Sequence, residues 1–252
     1  LTDWLPGRQD FPFQKLKNAV TAQHLPYGEN NTFPAVLQAN GYETAIIGKW
    51  HLGEDSLTTE KQGFKYHIPS GYLKGWPAVG YFSPYNMPGL SDGPEGEYLT
   101  DRLTNEALKF ITENKNKPFF LYLSHYAVHD PIQGRPDLVK KYKEKLAKME
   151  KPEGFPFILE GNPDDKNPLS RSDLNCMLKN NKFQGFKIFP NRTVKIKQFQ
   201  DNVEFAAMIE SVDESVGRIE AKLKELGLDK NTIVIFCSDN GGMSAANFGN
   251  PG

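Results

Sequence analysis

The sequence predicts an α/β domain with a mainly parallel sheet flanked by helices. Three observations predict it. A helix followed by a strand is legible three times, around residues 31–47, 100–123 and 205–237. The strand segments are continuous apolar runs, which suit strands covered on both faces. Glycines, prolines and short polar turns punctuate the units.

In the first unit, Asn31 or Thr32 is placed to cap a short helix with Pro34 in its first turn, Val36 and Leu37 on its apolar side and Gly41 at its stop. The run Thr44-Ala45-Ile46-Ile47 follows as a strand. In the second, Thr100 is the expected cap of a helix carrying Leu103, Ala107, Phe110 and Ile111 at helical spacing. Pro118 then leads into the strand FFLYL at 119–123. In the third, Phe205, Ile209, Val212, Val216, Ile219, Leu223 and Leu226 step by three and four along a long amphipathic helix that stops at Gly227. The run Ile233-Val234-Ile235-Phe236-Cys237 is its strand. Between the second and third units, about 131–200 reads as a long irregular insertion with one helix, from Asp137 to about Met149, bearing a lysine-rich face. A second irregular stretch, 71–96, carries Tyr72, Trp76, Tyr81, Phe82 and Tyr85. It reads equally as an aromatic-stapled surface loop or as the wall of a cleft.

The chain of 252 residues is 38% hydrophobic, enough to bury a sizeable core. A formal net charge of −1 leaves no basic footprint for nucleic acid or an anionic membrane surface. No apolar run approaches the roughly 20 residues of a membrane span. The N-terminal residues LTDWLPGRQD do not read as a signal peptide. Cys176 and Cys237, far apart and in no ligand-type spacing, argue against a disulfide framework or a thiolate zinc site. Asn30 and Asn191 begin Asn-x-Thr sequons, which are common by chance.

In open parallel sheets, ligands bind beyond the carboxyl ends of the strands. Those ends are Gly48-Lys49-Trp50-His51, Ser124-His125-Tyr126-Ala127-Val128-His129 and Ser238-Asp239-Asn240-Gly241-Gly242. Parallel pairing would collect them on one rim. Lys49 suits an oxyanion, His51 and His129 suit proton transfer near neutral pH, and Asp239 with Asn240 offers hard oxygen ligands for calcium or magnesium. Taken singly, each has a structural alternative: a turn-forming Asp-Asn-Gly, a packing histidine, a solvated lysine. Together they point to hydrolysis of a charged ester. His24, His67 and His125 are read as structural.

The segment GYETAIIGKWHLG at 41–53 resembles the second sequence motif of the sulfatases. FFLYLSHYAVHDP at 119–131 resembles their strand ending in a histidine just before a proline, and 213–242, ending IVIFCSDNGG, resembles their late helix and metal-binding strand. The resemblance implies an alkaline-phosphatase-like fold and sulfuric ester hydrolysis, with a sulfated carbohydrate as substrate. In that family a formylglycine, made within a Cys/Ser-x-Pro-x-Arg motif, is the nucleophile, and one calcium ion holds the sulfate. Carried over by position, Lys49 would bind sulfate and the formylglycine side chain. His51 would stabilise the formylglycine hydrate and assist sulfate release, and His129 would contact the sulfate and protonate the leaving oxygen. Asp239 and Asn240 would ligate calcium.

No Cys/Ser-x-Pro-x-Arg motif occurs in this sequence, and the family's early Asp-Asp metal pair is missing. Asp164-Asp165 does not follow an apolar run and is rejected as that pair. The expectation is a partial sulfatase catalytic domain over 1–252, inactive alone, from a secreted or periplasmic parent of unspecified oligomeric state. The alternatives are a phosphodiesterase, phosphonate hydrolase or phosphatase of the same superfamily, and a non-catalytic binder of sulfated glycan.

Overall fold

The computed structural model describes residues 32–52, 58–72, 74–154, 157–161, 165–180, 193–239 and 241. They fall into two compact units. The larger comprises Gln23–Lys140 and Glu204–Cys237, and the smaller includes Lys141–Val203 and the residues from Ser238 onward.

The larger unit is built on a three-stranded parallel sheet in the order β2-β1-β3, formed by β1 (Glu43–Gly48), β2 (Tyr66–Ile68) and β3 (Phe119–Ser124). Central β1 is buried along all six residues, the outcome expected of an apolar run with neighbours on both edges and cover on both faces. Its alternate side chains divide the core. Ala45 and Ile47 join a large cluster with Tyr81, Tyr85, Leu99, Leu103, Ala107, Phe110, Tyr126 and Met208. Ile46 packs on the opposite face with Trp50, Phe64 and Phe120. Each buried isoleucine contributes on the order of 1.5–3 kcal/mol. The β1–β3 register pairs Glu43 with Phe119 and Gly48 with Ser124, so the two strands end level. The α/β expectation with a parallel sheet therefore holds for these strands.

Helices α1 (Phe33–Ala39), α2 (Leu99–Glu113) and α5 (Val203–Glu225) match the three expected helices, with differences at their ends and faces. Helix α1 buries none of its residues, and Val36 is exposed. Thr32 is its cap residue, but the hydroxyl donates to the Gln62 carbonyl at 2.8 Å and makes no cap bond to the helix. Asn31 lies outside the described residues. Helix α2 begins one residue before the expected cap. Leu99 is fully buried and draws Thr100 into the first turn, so Tyr98 occupies the cap position without a side-chain bond to the helix end, its hydroxyl donating to the Gln133 carbonyl instead. Buried Leu103, Ala107, Phe110 and Ile111 follow the expected stripe.

The third strand is a correction. Residues 232–238 belong to no strand, and Ile233 and Phe236 are 88% and 73% exposed. An apolar run forms a strand only where a neighbour takes its backbone amides and carbonyls, and no described strand pairs with it.

The stretch read as irregular also holds more order than expected. Helix α3 (Pro136–Lys148) lies where a helix was predicted. In the smaller unit, β4 (Phe157–Glu160) pairs antiparallel with β5 (Val194–Lys197), and α4 (Arg171–Lys179) lies between them in sequence. Ser170 and Asp173 cap α4 reciprocally, each side chain taking the other's backbone N–H. Leu159 and Leu174 are buried together against Leu169, Met177 and Leu178.

Candidate active site

The site grows from the ends of β1 and β3. Gly48 has φ +113°, and a Cβ there would lie 1.8 Å from the Ser124 carbonyl oxygen. Only glycine permits this backbone close to β3. The Lys49 N–H donates to the same carbonyl at 2.6 Å, so the chain leaves the sheet while still tied to β3. Trp50 then turns inward, buried with its ring edge-on to Phe64 at 6.2 Å. In an extended segment, neighbours of an inward residue face the other way, and Lys49 and His51 flank Trp50 in this manner.

His129 arrives from the end of β3. Its N–H donates to the Tyr126 carbonyl at 2.9 Å, and its own carbonyl accepts from the Tyr81 hydroxyl at 3.0 Å. The ring Nδ1 lies 3.1 Å from the Asp130 carbonyl. A carbonyl only accepts, so Nδ1 carries the proton in the neutral ring, and Nε2 is the atom that takes up or delivers one.

Trp76 joins the two histidines. Its ring meets His51 edge-to-face at 6.2 Å and stacks on His129 at 6.3 Å with an interplanar angle of 22°. Preceding Gly75 makes the approach possible, since a Cβ there would stand 2.3 Å from His51 Nδ1. Partial burial, followed by the positive charges of Lys49 and His129, lowers the His51 pKa below the ordinary imidazole range. His51 therefore remains a neutral proton acceptor further into mildly acidic pH than a free histidine. The structure thus brings Lys49, His51 and His129 into one electrostatic neighbourhood at adjacent strand ends.

Asp239 is exposed and belongs to the smaller unit, and Asn240 lies outside the described residues. Among the described residues, no three His, Cys, Asp or Glu side chains come together to hold a metal ion. A single exposed carboxylate is not a calcium cage, so no step can be derived through calcium.

Of the three histidines read as structural, two lie among the described residues. His67 Nδ1 lies 2.7 Å from the Thr59 hydroxyl in a buried pair. His125 lies beneath the rim, its Nε2 2.9 Å from the Ser215 hydroxyl, which the Thr104 hydroxyl approaches at 2.7 Å. Its Nδ1 is buried with no hydrogen-bond partner among the described residues, and burial pushes the ring's pKa down to about 4. His24 lies outside the described residues. The contact the sequence reading missed is Trp76. Its only signal was membership of an aromatic-rich loop, which does not reveal which neighbour an indole will meet.

Comparison with known proteins identifies the family. The family model for sulfatases matches residues 10–251. An uncharacterized sulfatase of Schizosaccharomyces pombe is 30% identical over 233 residues, covering 82% of this chain and 40% of its own length. The N-acetylglucosamine-6-O-sulfatase of Bacteroides thetaiotaomicron is 26% identical over 257 residues, covering 85% and 44%. A multifunctional alkaline phosphatase superfamily protein of Trinickia caryophylli is 26% identical over 257 residues, covering 87% and 47%. The chain spans less than half the length of the curated relatives it matches. Matched across nearly all its residues, and carrying the lysine and histidines of the rim at the strand ends where the motif resemblance put them, the chain belongs to the sulfatase family.

Proposed function

We propose that the whole protein is a sulfuric ester hydrolase acting on a sulfated carbohydrate, and that this chain supplies the anion-binding and proton-transfer side of its active site. The observation that carries the reading is the juxtaposition of Lys49, His51 and His129 at adjacent parallel strand ends. A lysine ammonium there holds a sulfate oxygen by charge. His129, protonated at Nε2, delivers a proton to the leaving sugar oxygen, and neutral His51 takes one up. A formylglycine in the whole protein would supply the nucleophilic hydroxyl. Asp239 and Asn240 are proposed as two calcium ligands there, and the setting as secreted or periplasmic. Among the described residues, no helix is long and apolar enough to cross a membrane.

A second reading, phosphoester or phosphonate hydrolysis on the same framework, is favoured by the similarity to the alkaline phosphatase superfamily protein. Turnover of an aryl sulfate against the matching aryl phosphate by the whole protein separates the two. The sulfatase reading expects sulfate ester preference and a loss of about 10²-fold or more in Lys49→Ala, the scale of removing one stabiliser of transition-state charge. Preference for phosphate, or an upstream sequence without a Cys/Ser-x-Pro-x-Arg motif, would overturn it.

A further inference from the structure

Trp76 is 42% exposed and takes no part in the core cluster that its loop neighbours Tyr72, Tyr81 and Tyr85 help to build. A loop staple would be buried with them. Its backbone is nevertheless held firmly. The buried Tyr72 hydroxyl donates to the Trp76 carbonyl at 2.7 Å and accepts from the Ala78 N–H at 2.9 Å. Tyr72 in turn packs edge-on against buried Tyr126 at 6.1 Å, and the Tyr126 hydroxyl sits 3.5 Å from the Gly48 carbonyl. A chain of contacts therefore runs from the end of β1, through two tyrosines, to the backbone of the tryptophan whose ring meets both His51 and His129.

We propose that Trp76 is a positioning residue of the site, its indole setting the orientation of the two imidazoles so that both address one bound anion. This rests on reading Lys49, His51 and His129 as the anion site. Both histidines are exposed and lie beyond the strands. An imidazole there rotates about its side-chain torsions unless a neighbour limits it. The indole face takes the His129 ring in a stacked arrangement, and the His51 contact is edge-to-face, two geometries that aromatic rings favour. An imidazolium stacked on indole gains cation–π attraction as well. Gly75 completes the device by leaving room for His51 beside the indole.

The experiment follows the five histidines of the 252-residue chain by NMR, assigned by single substitution, during titration with inorganic sulfate. In the unsubstituted protein, sulfate is expected to move the His51 and His129 signals together. Trp76→Ala should shift both resting signals, weaken sulfate binding about tenfold, the scale of one or two lost aromatic contacts, and leave the thermal midpoint nearly unchanged. Trp76→Phe should restore most of the affinity. Gly75→Ala should displace the His51 signal with the indole still present. Equal sulfate affinity in the unsubstituted protein and Trp76→Ala overturns the positioning role while the site reading stands. Sulfate that moves neither imidazole in the unsubstituted protein overturns the site reading, and the proposal with it. A collapse of stability in Trp76→Ala that Trp76→Phe repairs without restoring affinity shows a merely structural tryptophan and also overturns it.

Discussion

His125 makes the chain's stability depend on pH in a window that can be calculated. The ring is buried against Ser215, its Nδ1 has no hydrogen-bond partner among the described residues, and burial pushes its pKa down to about 4. In the unfolded chain an imidazole titrates near 6.5. The unfolded state therefore binds a proton that the folded state refuses. Stability from this group is fully present above about pH 6.5 and is lost as pH falls toward 4. A difference of about 2.5 pH units corresponds to about 3 kcal/mol in all, of which about 2 kcal/mol disappears between pH 7 and 5. Urea unfolding at those two pH values would show a midpoint lower by roughly 1 M at pH 5, taking a typical urea slope of 1–3 kcal/mol per M. His67, also held down by burial, adds to the slope in the same direction, so the contrast is with His125→Gln. This variant keeps a polar group near Ser215 and removes the titration, and its pH dependence should be shallower by about 2 kcal/mol across the window. Identical pH dependence in the two proteins would refute the assignment of a buried neutral His125.

Two further substitutions test the framework. Gly48→Ala places a methyl group 1.8 Å from the Ser124 carbonyl at a left-handed φ; it should cost more than about 2 kcal/mol by thermal unfolding, and a neutral result would mean that β1 does not leave the sheet as described. Leu159→Ala empties the centre of the smaller unit and should destabilise that unit by roughly 2–5 kcal/mol, measured by hydrogen exchange of the β4 and β5 amides, with the β1 amides unaffected if the two units unfold separately.

Much of the framework was legible because it is locally encoded. The Thr44–Ile47 and Phe119–Leu123 runs, the stripe of α2 and the long repeat of α5 each carry their period in consecutive residues. Two of the three expected rim segments follow from those strands, since level parallel ends deliver Lys49, His51 and His129 to one edge. The antiparallel β4–β5 pair was not legible. Phe157 pairs with Lys197, 40 positions further along the chain, and short strands among prolines and glycines announce themselves only once paired. The run 233–237 is the converse case, with strong strand composition and no described partner.

By itself, the sequence determined the α/β order, the residues at the strand ends and, through motif resemblance, the family. Tertiary structure alone decided that Trp76 would lie against His51 and His129, that His125 would be neutral beneath the rim, and that residues 233–237 would stand exposed. The physical reason is one of range. Periodicity and turn chemistry act over a few neighbouring residues and are written along the chain. Ring contacts, desolvation and strand pairing depend on groups distant in sequence, and exist only once folding has brought those groups together.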